Sequence, residues 1–283
     1  MSLRLCILPL LLALTVATAS PARPQPADAD PSVYRSDEVT LRLVRGIVGA
    51  DGVMRGALLV ELAPGWKTYW IDPGDAGIPP SVEIRATGAP GGEAAEIDFP
   101  APHRFGDDAS GRSNGYEGDT AFAFTMKGLS PGDTETLTAL IMLGVCRDIC
   151  IPVTASLTTS SAPVSADDAE EIEAAFATLP GFDPAIGRIV SAELAPDRGS
   201  VTVAVALGAR AENSAADLFL TGPKGWYFGI ATARRDGPAV TFTVPVNSRP
   251  RHPAAERLAV RAVLTTEAGA IETRNLRVGG VGD

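Results

Sequence analysis

The sequence predicts an all-β protein of two antiparallel β-sandwich domains joined by a short α-helical linker, with a barrel as the alternative to the sandwich. Three observations predict this fold class. Short segments that alternate apolar and polar residues recur along most of the chain. Turn residues separate these segments, with 29 glycines and 23 prolines in the chain. One stretch, at 165–179, has the period of a helix.

The N-terminal residues predict export. Arg4 precedes an apolar run over 5–16, and small residues follow at 17–19, which is the pattern of a secretory signal peptide. The run is shorter than the roughly 20 apolar residues of a membrane-spanning helix. We therefore expect a signal peptide over 1–19, a location in the periplasm and no stable membrane insertion.

The composition limits the possible partners. A segment rich in Pro and Ala over 20–36 has few large apolar residues, so we expect a flexible leader there. The chain has 34 acidic and 24 basic residues and a net charge of −10, which disfavours nucleic acid and anionic lipid surfaces as partners. No Ser-His-Asp set or phosphate-binding glycine loop stands out in the sequence, which disfavours a hydrolase or a kinase.

The first predicted sandwich covers 37–160. It begins near Glu38, where the apolar residues 39, 41 and 43 alternate with polar ones as in a half-buried strand. Further strands, with turn residues between them, are predicted at 54–62, 81–86, 120–126, 134–143 and 152–158.

A helical linker is predicted over 161–180. Ser165 can cap its first turn, and the acidic residues that follow it favour the positive end of the helix dipole. Ile172, Phe176 and Leu179 form one apolar stripe before a Pro-Gly pair ends the helix.

The two-residue alternation returns after the linker, which predicts a second sandwich over 181–283. This part of the chain contains no cysteine. Its strands are predicted at 187–194, 200–207, 226–233, 239–246, 257–266 and 270–278.

Two cysteines, Cys146 and Cys150, remain after the predicted cleavage, because Cys6 lies in the signal peptide. A close pair in an oxidising compartment is normally a disulfide, and the three residues between them must then fold back as a tight turn. So small a ring stabilises little, about 2 kcal/mol by the loop-length argument. Arg147 would favour a thiolate at its neighbour Cys146. The pair is therefore a structural clip, a redox pair or part of a metal site, and the spacing leaves these alternatives open.

Other candidate residues have both functional and structural interpretations. Three aromatic residues either line a groove for a partner or pack in the core: Trp66, Tyr69 and Trp70. Four acidic residues either assist proton transfer or form turns, and turns are the commoner role: Asp72, Asp75, Asp107 and Asp108. The two histidines lie far apart in the sequence, so we expect no metal site and no cofactor: His103 and His252.

Five segments in a fixed order carry a family resemblance. They are GWKTYW at 65–70, DPGDAGIPP at 72–80, FPAP at 99–102, GYEG at 115–118 and CRDICIP at 146–152. Over about residues 37–160 the sequence resembles the N-terminal periplasmic domain of DsbD-type thiol:disulfide interchange proteins. It is most similar to the ScsB-like variant, which is associated with suppression of copper sensitivity. The similarity is weaker after residue 180, where ScsB-like members carry a second immunoglobulin-like domain.

The resemblance implies immunoglobulin-like sandwiches and a set of site residues. Cys146 and Cys150 match the family's redox pair and are the candidate catalytic residues. Tyr69 matches an aromatic position beside the cysteines, and Phe105 lies where a shielding loop is expected.

The resemblance also implies surroundings and partners. Arg147 and Asp148, between the cysteines, belong to the surroundings of the site. As a thiol:disulfide oxidoreductase of the protein-disulfide reductase type, the pair would take electrons from a thioredoxin-like periplasmic protein or a membrane electron carrier. It would pass them to oxidised periplasmic proteins. The family's membrane carrier and thioredoxin-like domain are not in this sequence, so we expect the donor to be a separate protein.

Two alternatives come from other functional classes. The first is a non-catalytic periplasmic binding or assembly module, in which the cysteines form a structural disulfide. The second is a copper-binding protein that contributes to copper tolerance through its reduced thiols.

Overall fold

The computed structural model describes residues 30–86, 93–107, 111–130, 136–159, 161–251 and 258–280. These residues form nineteen β-strands and one α-helix, and the predicted all-β class is confirmed. None of the helical segments in them has the length and apolarity that a membrane span requires. Several predicted features lie outside the described residues: the signal peptide, the leader up to residue 29, residues 134, 135 and 257 of two predicted strands, Asp108 and His252.

The strands up to residue 158 form two sheets. They are β1 (Val33–Arg35), β2 (Val39–Arg45), β3 (Met54–Leu62), β4 (Lys67–Gly74), β5 (Ser81–Ala86), β6 (Glu96–Asp98), β7 (His103–Asp107), β8 (Gly111–Glu117), β9 (Thr120–Met126), β10 (Leu137–Cys146) and β11 (Cys150–Thr158). The described part of one sheet has the order β1-β2-β3-β9-β6. The other has the order β11-β10-β4-β8-β7, with β5 also paired to β10. The pairs are antiparallel.

Apolar side chains from both sheets fill one core, so this part of the chain is a sandwich. In β10, Leu137, Ile141 and Leu143 are buried, whereas Leu140 is 56% exposed. This alternation follows because successive side chains of a strand point to opposite faces of the sheet. Leu58 of β3, in the facing sheet, belongs to the same core.

The helix α1 (Ala166–Ala177) packs against the face of the first sheet that points away from this core. Ile172 contacts a small apolar cluster that includes Val44 of β2. Ser165 and Asp168 form a capping box, in which each side chain accepts a hydrogen bond from the other residue's backbone N–H. The helix is therefore held at its start by the cap and along its length by the apolar stripe that the sequence predicts.

The remaining strands form a third sheet, which we call the C-terminal sheet. They are β12 (Gly187–Leu194), β13 (Ser200–Leu207), β14 (Ala216–Thr221), β15 (Tyr227–Phe228), β16 (Thr232–Asp236), β17 (Ala239–Ser248), β18 (Ala259–Thr266) and β19 (Gly269–Gly279). Their order is β14-β18-β19-β12-β13-β17-β15, with β16 also paired to β17. This sheet encloses a second apolar core, which includes Val203, Leu220, Phe242 and Leu264.

The prediction of one strand over 226–233 is wrong. The chain forms β15 and β16 instead, and both pair with β17. Between them the N–H of Gly229 donates to the carbonyl oxygen of Pro245 at 2.8 Å. A Cβ atom at residue 229 would lie 2.8 Å from Asn247 Oδ1. The backbone thus approaches β17 closely at a glycine, and the regular pairing is interrupted there.

The end of the predicted leader is also ordered. Val33–Arg35 forms β1, which pairs with β2, and Val33 is buried. Apolar side chains at 33 and 34 give this short segment surface to bury, in contrast to the preceding Pro- and Ala-rich residues.

The two cores meet through apolar and charged contacts. Trp70 of β4 packs edge-on against Phe219 of β14, with ring centroids 6.1 Å apart. Asp98 of β6 forms ion pairs with Arg261 and Arg274 of the C-terminal sheet. The chain from Pro31 onward accordingly forms one compact unit. The domain boundaries at 37–160 and 181–283, and the role of α1 as a linker between domains, stay predictions.

Candidate redox site

The hairpin formed by β10 and β11 brings the two cysteines together. Cys146 is the last residue of β10 and Cys150 is the first of β11, and the two are direct partners in the strand register. Their sulfurs form a disulfide, with the Cα atoms 4.1 Å apart. The three intervening residues turn back tightly, and the N–H of Arg147 donates to the carbonyl oxygen of Ile149 at 3.2 Å. The pair thus closes the end of a regular hairpin.

The two cysteines differ in exposure. Cys146 is only 6% exposed, whereas Cys150 and the three turn residues are exposed. Ile149, at the turn, is 69% exposed despite its apolar side chain. A reagent in solution therefore meets Cys150 first, and Cys146 is the inner member of the pair.

Tyr69 contacts the disulfide from β4. Its hydroxyl donates a hydrogen bond to Cys146 Sγ at 2.8 Å and lies 3.3 Å from Cys150 Sγ. Burial raises the pKa of this hydroxyl, so it keeps its proton at neutral pH and remains a donor. Glycines flank the ring: a Cβ atom at Gly77 would lie 2.5 Å from it, and one at Gly144 would lie 3.1 Å from it. The bare backbone at these two residues therefore makes the space for Tyr69.

Phe105 packs beside Tyr69, with the ring centroids 5.9 Å apart. The ammonium group of Lys67 lies 4.8 Å from the centre of the Phe105 ring and 2.7 Å from a carboxylate oxygen of Glu117. Lys67 is also the partner of Cys146 in the register of β4 and β10. Phe105 thus lies against Tyr69, which contacts the disulfide, and against Lys67, the register partner of Cys146.

Arg147 and Asp148 lie on the exposed side of the hairpin. The guanidinium of Arg147 lies 5.1 Å from the centre of the Trp66 ring, and its Nε is 3.3 Å from an oxygen of Asp148. Exposed ion pairs of this kind contribute little to stability. The two residues therefore define the rim of the site rather than its interior.

The structure assigns the acidic residues Asp72 and Asp75 to contacts between the sheets. Asp72 is buried, and its carboxylate accepts hydrogen bonds from the N–H groups of Gly74 and Phe228. Burial raises the pKa of Asp72 to about 6. Asp75 accepts a hydrogen bond from Asn247 Nδ2 at 3.1 Å. Both residues thus connect β4 and the turn after it to the C-terminal sheet.

The remaining candidates lie apart from the sulfurs or in the core. Trp70 is buried against Phe219, and Trp66 is partly buried beneath Arg147. His103 is exposed on β7. Asp107 ends β7. Within the described ranges, no group of three or more His, Cys, Asp or Glu residues is arranged to hold a metal ion.

The motif residues quoted from the sequence include Lys67 and Gly77 but give neither a role. Gly144 has a sequence signal, because an isolated glycine in an apolar strand indicates close approach of another group. Here the approaching groups are Tyr69 and Ile78.

The disulfide hairpin, Tyr69 and Phe105 all fall in one segment of the chain that matches a known family. Residues 47–162 match the family described as thiol:disulfide interchange protein DsbD, N-terminal. The resemblance predicted from the five motifs is thereby confirmed. At the level of this DsbD family, the match and the disulfide support thiol-disulfide exchange, an oxidoreductase type of role and a thioredoxin-like redox partner.

Comparison with solved structures supports the same fold. The crystal structure of the N-terminal periplasmic domain of ScsB from Proteus mirabilis aligns with a TM-score of 0.69 and 22% identity. The alignment covers 89% of this chain and 99% of that one. The tandem Ig repeats of Dlar align over 86% of this chain at 8% identity, but the TM-score of 0.21 is too low to indicate a common fold. No curated protein matches the chain at a significant level.

Proposed function

We propose that the protein relays electrons through the Cys146–Cys150 pair, from a thioredoxin-like protein or membrane carrier to oxidised proteins of the periplasm. The observation that carries the proposal is the asymmetry of the disulfide. An exposed Cys150 is bonded to a buried Cys146, whose sulfur accepts a hydrogen bond from Tyr69. This arrangement separates the sulfur that a partner attacks from the sulfur that leaves.

Reduction of the protein takes two exchange steps. A thiolate of the donor attacks Cys150 Sγ, a mixed disulfide forms, and the bond to Cys146 breaks with the electron pair remaining on Cys146 Sγ. The Tyr69 hydroxyl stabilises that thiolate, because a hydrogen bond to a charged acceptor is stronger than one to a neutral acceptor. The donor's second thiolate then attacks its own sulfur in the mixed disulfide and releases Cys150. The donor leaves as a disulfide, and the protein holds two thiols after protonation by water.

The reduced protein then passes its electrons to the acceptor by the same two exchange steps in reverse order. The Cys150 thiolate attacks a disulfide of the acceptor protein and forms a mixed disulfide with one of its sulfurs. Cys146 then attacks Cys150 Sγ, the intramolecular disulfide re-forms, and the acceptor leaves with two thiols. One pair of electrons passes in each cycle, and no metal or organic cofactor takes part.

The proposal includes the cellular location and the organisation of the chain. Residues 1–19 act as the signal peptide that directs the protein to the periplasm. Residues 37–160 carry the exchange chemistry, α1 links them to the second sandwich over 181–283, and the second sandwich supports the first. The contacts of Asp98 with Arg261 and Arg274 support that last role.

A structural disulfide is the second candidate, and the hairpin itself favours it. The β10–β11 ladder aligns nine residue pairs, so the bond closes a turn that the strands already bring together. Such a bond would resist physiological reductants, and the protein would act as a binding or assembly module.

The reduction potential of the pair distinguishes the two candidates. Mature protein is equilibrated with glutathione or dithiothreitol buffers, and the free thiols are trapped and counted. A relay is expected at about −270 to −200 mV, where thioredoxins and glutaredoxins exchange electrons. A potential below about −300 mV would contradict the relay and favour the structural disulfide. The double variant Cys146→Ser/Cys150→Ser, which has no bond to reduce, is the control for the trapping chemistry.

A further inference from the structure

The strand that carries Phe105 is anchored in the C-terminal sheet by the neighbouring residue, Arg104. The Nε and Nη2 atoms of Arg104 donate to the two carboxylate oxygens of Asp217, at 2.7 and 2.8 Å. The Nη2 atom also lies 3.2 Å from the carbonyl oxygen of Leu218. The side chain of Arg104 is 14% exposed and that of Asp217 is 35% exposed, so solvent screens this pair in part. A two-point bond between a guanidinium and a carboxylate fixes orientation as well as distance.

Two further contacts complete the anchor. Nη1 of Arg104 donates to Asn114 Oδ1 at 3.1 Å, which joins β7 to its neighbour β8. The guanidinium carbon lies 4.6 Å from the centre of the Phe219 ring in β14. Arg104 therefore connects β7 both to the neighbouring strand of its own sheet and to the C-terminal sheet.

Adjacent residues of a strand point to opposite faces, and Arg104 and Phe105 follow this rule. Arg104 points to Asp217, whereas Phe105 points to Tyr69 and Lys67. Any shift of β7 that breaks the bond to Asp217 therefore also moves the Phe105 ring from its place beside Tyr69 and Lys67. The ion pair of Arg104 with Asp217 thus connects the C-terminal sheet to the site through β7.

Tyr69 does not depend on this anchor for its own position. Gly77 and Gly144 flank its ring so closely that a Cβ atom on either would contact the ring. Loss of the Arg104–Asp217 pair is therefore expected to move Phe105 while the Tyr69 hydroxyl stays at the sulfurs. The effect on exchange then comes from access to the disulfide and not from the chemistry of the leaving thiolate.

We propose that Asp217 is a positioning residue for the redox site, which acts through Arg104 to hold Phe105 against Tyr69 and Lys67 and so slows the attack of thiols on the disulfide. The inference rests on the proposed exchange function of the cysteine pair. It gives the C-terminal sheet a part in that function, although this sheet contains no cysteine.

The test is the rate at which dithiothreitol reduces the disulfide in the full mature chain. Asp217→Ala is expected to react about tenfold faster than the wild type, because the rate scales with the fraction of molecules in which Phe105 has moved away. The reduction potential is expected to stay at the wild-type value, because access changes the forward and reverse rates equally. A potential that shifts together with the rate would show instead that the substitution changes the relative stability of the oxidised and reduced forms.

A double-mutant cycle with Phe105→Ala makes the test specific. Phe105→Ala alone should accelerate reduction, and addition of Asp217→Ala should then change the rate little, because both substitutions remove the same obstacle. Independent, multiplying effects would overturn the inference. Arg104→Lys, which retains the charge but loses the two-point bond, is the second variant if Asp217→Ala does not fold.

Glu96→Gln is the matched control. It removes another ion pair between the sheets, with Arg274 at 3.0 Å, on a strand other than β7. Its rate should equal that of the wild type. If the wild-type disulfide is reducible but Asp217→Ala reacts no faster, or if Glu96→Gln accelerates as much, this inference fails while the proposed function stands. If the wild-type potential lies below about −300 mV, the proposed function itself fails.

Discussion

At the scale of single residues, the Tyr69 hydroxyl is a group that the proposed relay would use and a structural clip would not. A clip gains nothing from a donor aimed at its sulfurs, whereas a leaving thiolate does. The donor lies 2.8 Å from the buried sulfur of Cys146, which is the sulfur that leaves when a partner attacks Cys150. The position of the hydroxyl therefore agrees with the order of bond breaking that the difference in exposure implies.

Tyr69→Phe is expected to slow the reduction of the disulfide by dithiothreitol at pH 7 by about three- to tenfold. The substitution removes a hydrogen bond to a developing charge, and only part of that charge has formed in the transition state. Stopped-flow or quenched thiol trapping measures the rate. Tyr116→Phe is the matched control, because it deletes a tyrosine hydroxyl that donates to the Pro100 carbonyl oxygen and not to sulfur. A Tyr69→Phe protein that is reduced as fast as the wild type would contradict the role.

Some residues of the site can be predicted from the sequence, whereas others cannot. Cys146, Cys150 and Tyr69 belong to short motifs, so they can be identified from local sequence and from the DsbD family. Arg104 and Asp217 lie 113 residues apart, and no local pattern connects them. Their contact depends on how the C-terminal sheet packs against β7, and such packing is decided by the tertiary structure.

At the scale of elements, the strands differ in how much of their structure the sequence specifies. The alternation in β3, β9, β12 and β13 specifies these strands, and their predicted bounds agree with the structure. The strands β7 and β8 have no such pattern, because HRFGD and GRSNGYE are polar and rich in glycine. In β8 a Cβ atom at Gly115 would lie 2.0 Å from the Thr68 carbonyl oxygen. This strand pairs because it lacks a side chain there, which strand propensity does not detect.

Gly144→Ala is expected to destabilise the β10 strand and displace the Tyr69 ring. The new methyl group would lie 2.6 Å from Ile78 Cβ and 3.1 Å from Tyr69, so the packed side chains must shift. Overpacking of this kind costs about 1–3 kcal/mol of unfolding free energy. Urea denaturation measures the loss. Gly279→Ala in β19 is the control, because its Cβ atom would come no closer than 3.7 Å to a neighbour, and its stability should stay near that of the wild type. Equal stabilities of the two variants would contradict the close packing at Gly144.

At the scale of the whole molecule, the strands that carry the site also carry the contacts between the sheets. In β4, Tyr69 faces the disulfide while Trp70 and Asp72 contact the C-terminal sheet. In β7, Phe105 packs against Tyr69, while Arg104 contacts Asp217 of the C-terminal sheet. The site geometry and the packing of the two cores are therefore coupled through two strands, and a change in one is expected to be measurable in the other.

Asp72 makes this coupling sensitive to pH. Its carboxylate lies buried between the sheets, and burial raises its pKa to about 6 from an ordinary value of 3.8. The native state thus binds a proton at Asp72 more tightly than the unfolded chain does. The resulting stability is fully present below the ordinary pKa and is lost as the pH rises through about 6. Acidification from pH 7 to 4.5 should therefore stabilise the wild type by about 2 kcal/mol through this residue alone.

Comparison with Asp72→Asn isolates that contribution, because the other carboxyl groups titrate in both proteins and cancel in the difference. Urea unfolding at pH 7 and pH 4.5 gives the free energy of unfolding of each protein. The wild type should gain about 2 kcal/mol relative to the variant on acidification. A difference that is the same at both pH values would show that Asp72 is not desolvated in the native state. Because Phe228 N–H donates to this carboxylate, the same result would also contradict a tightly packed contact between β4 and β15.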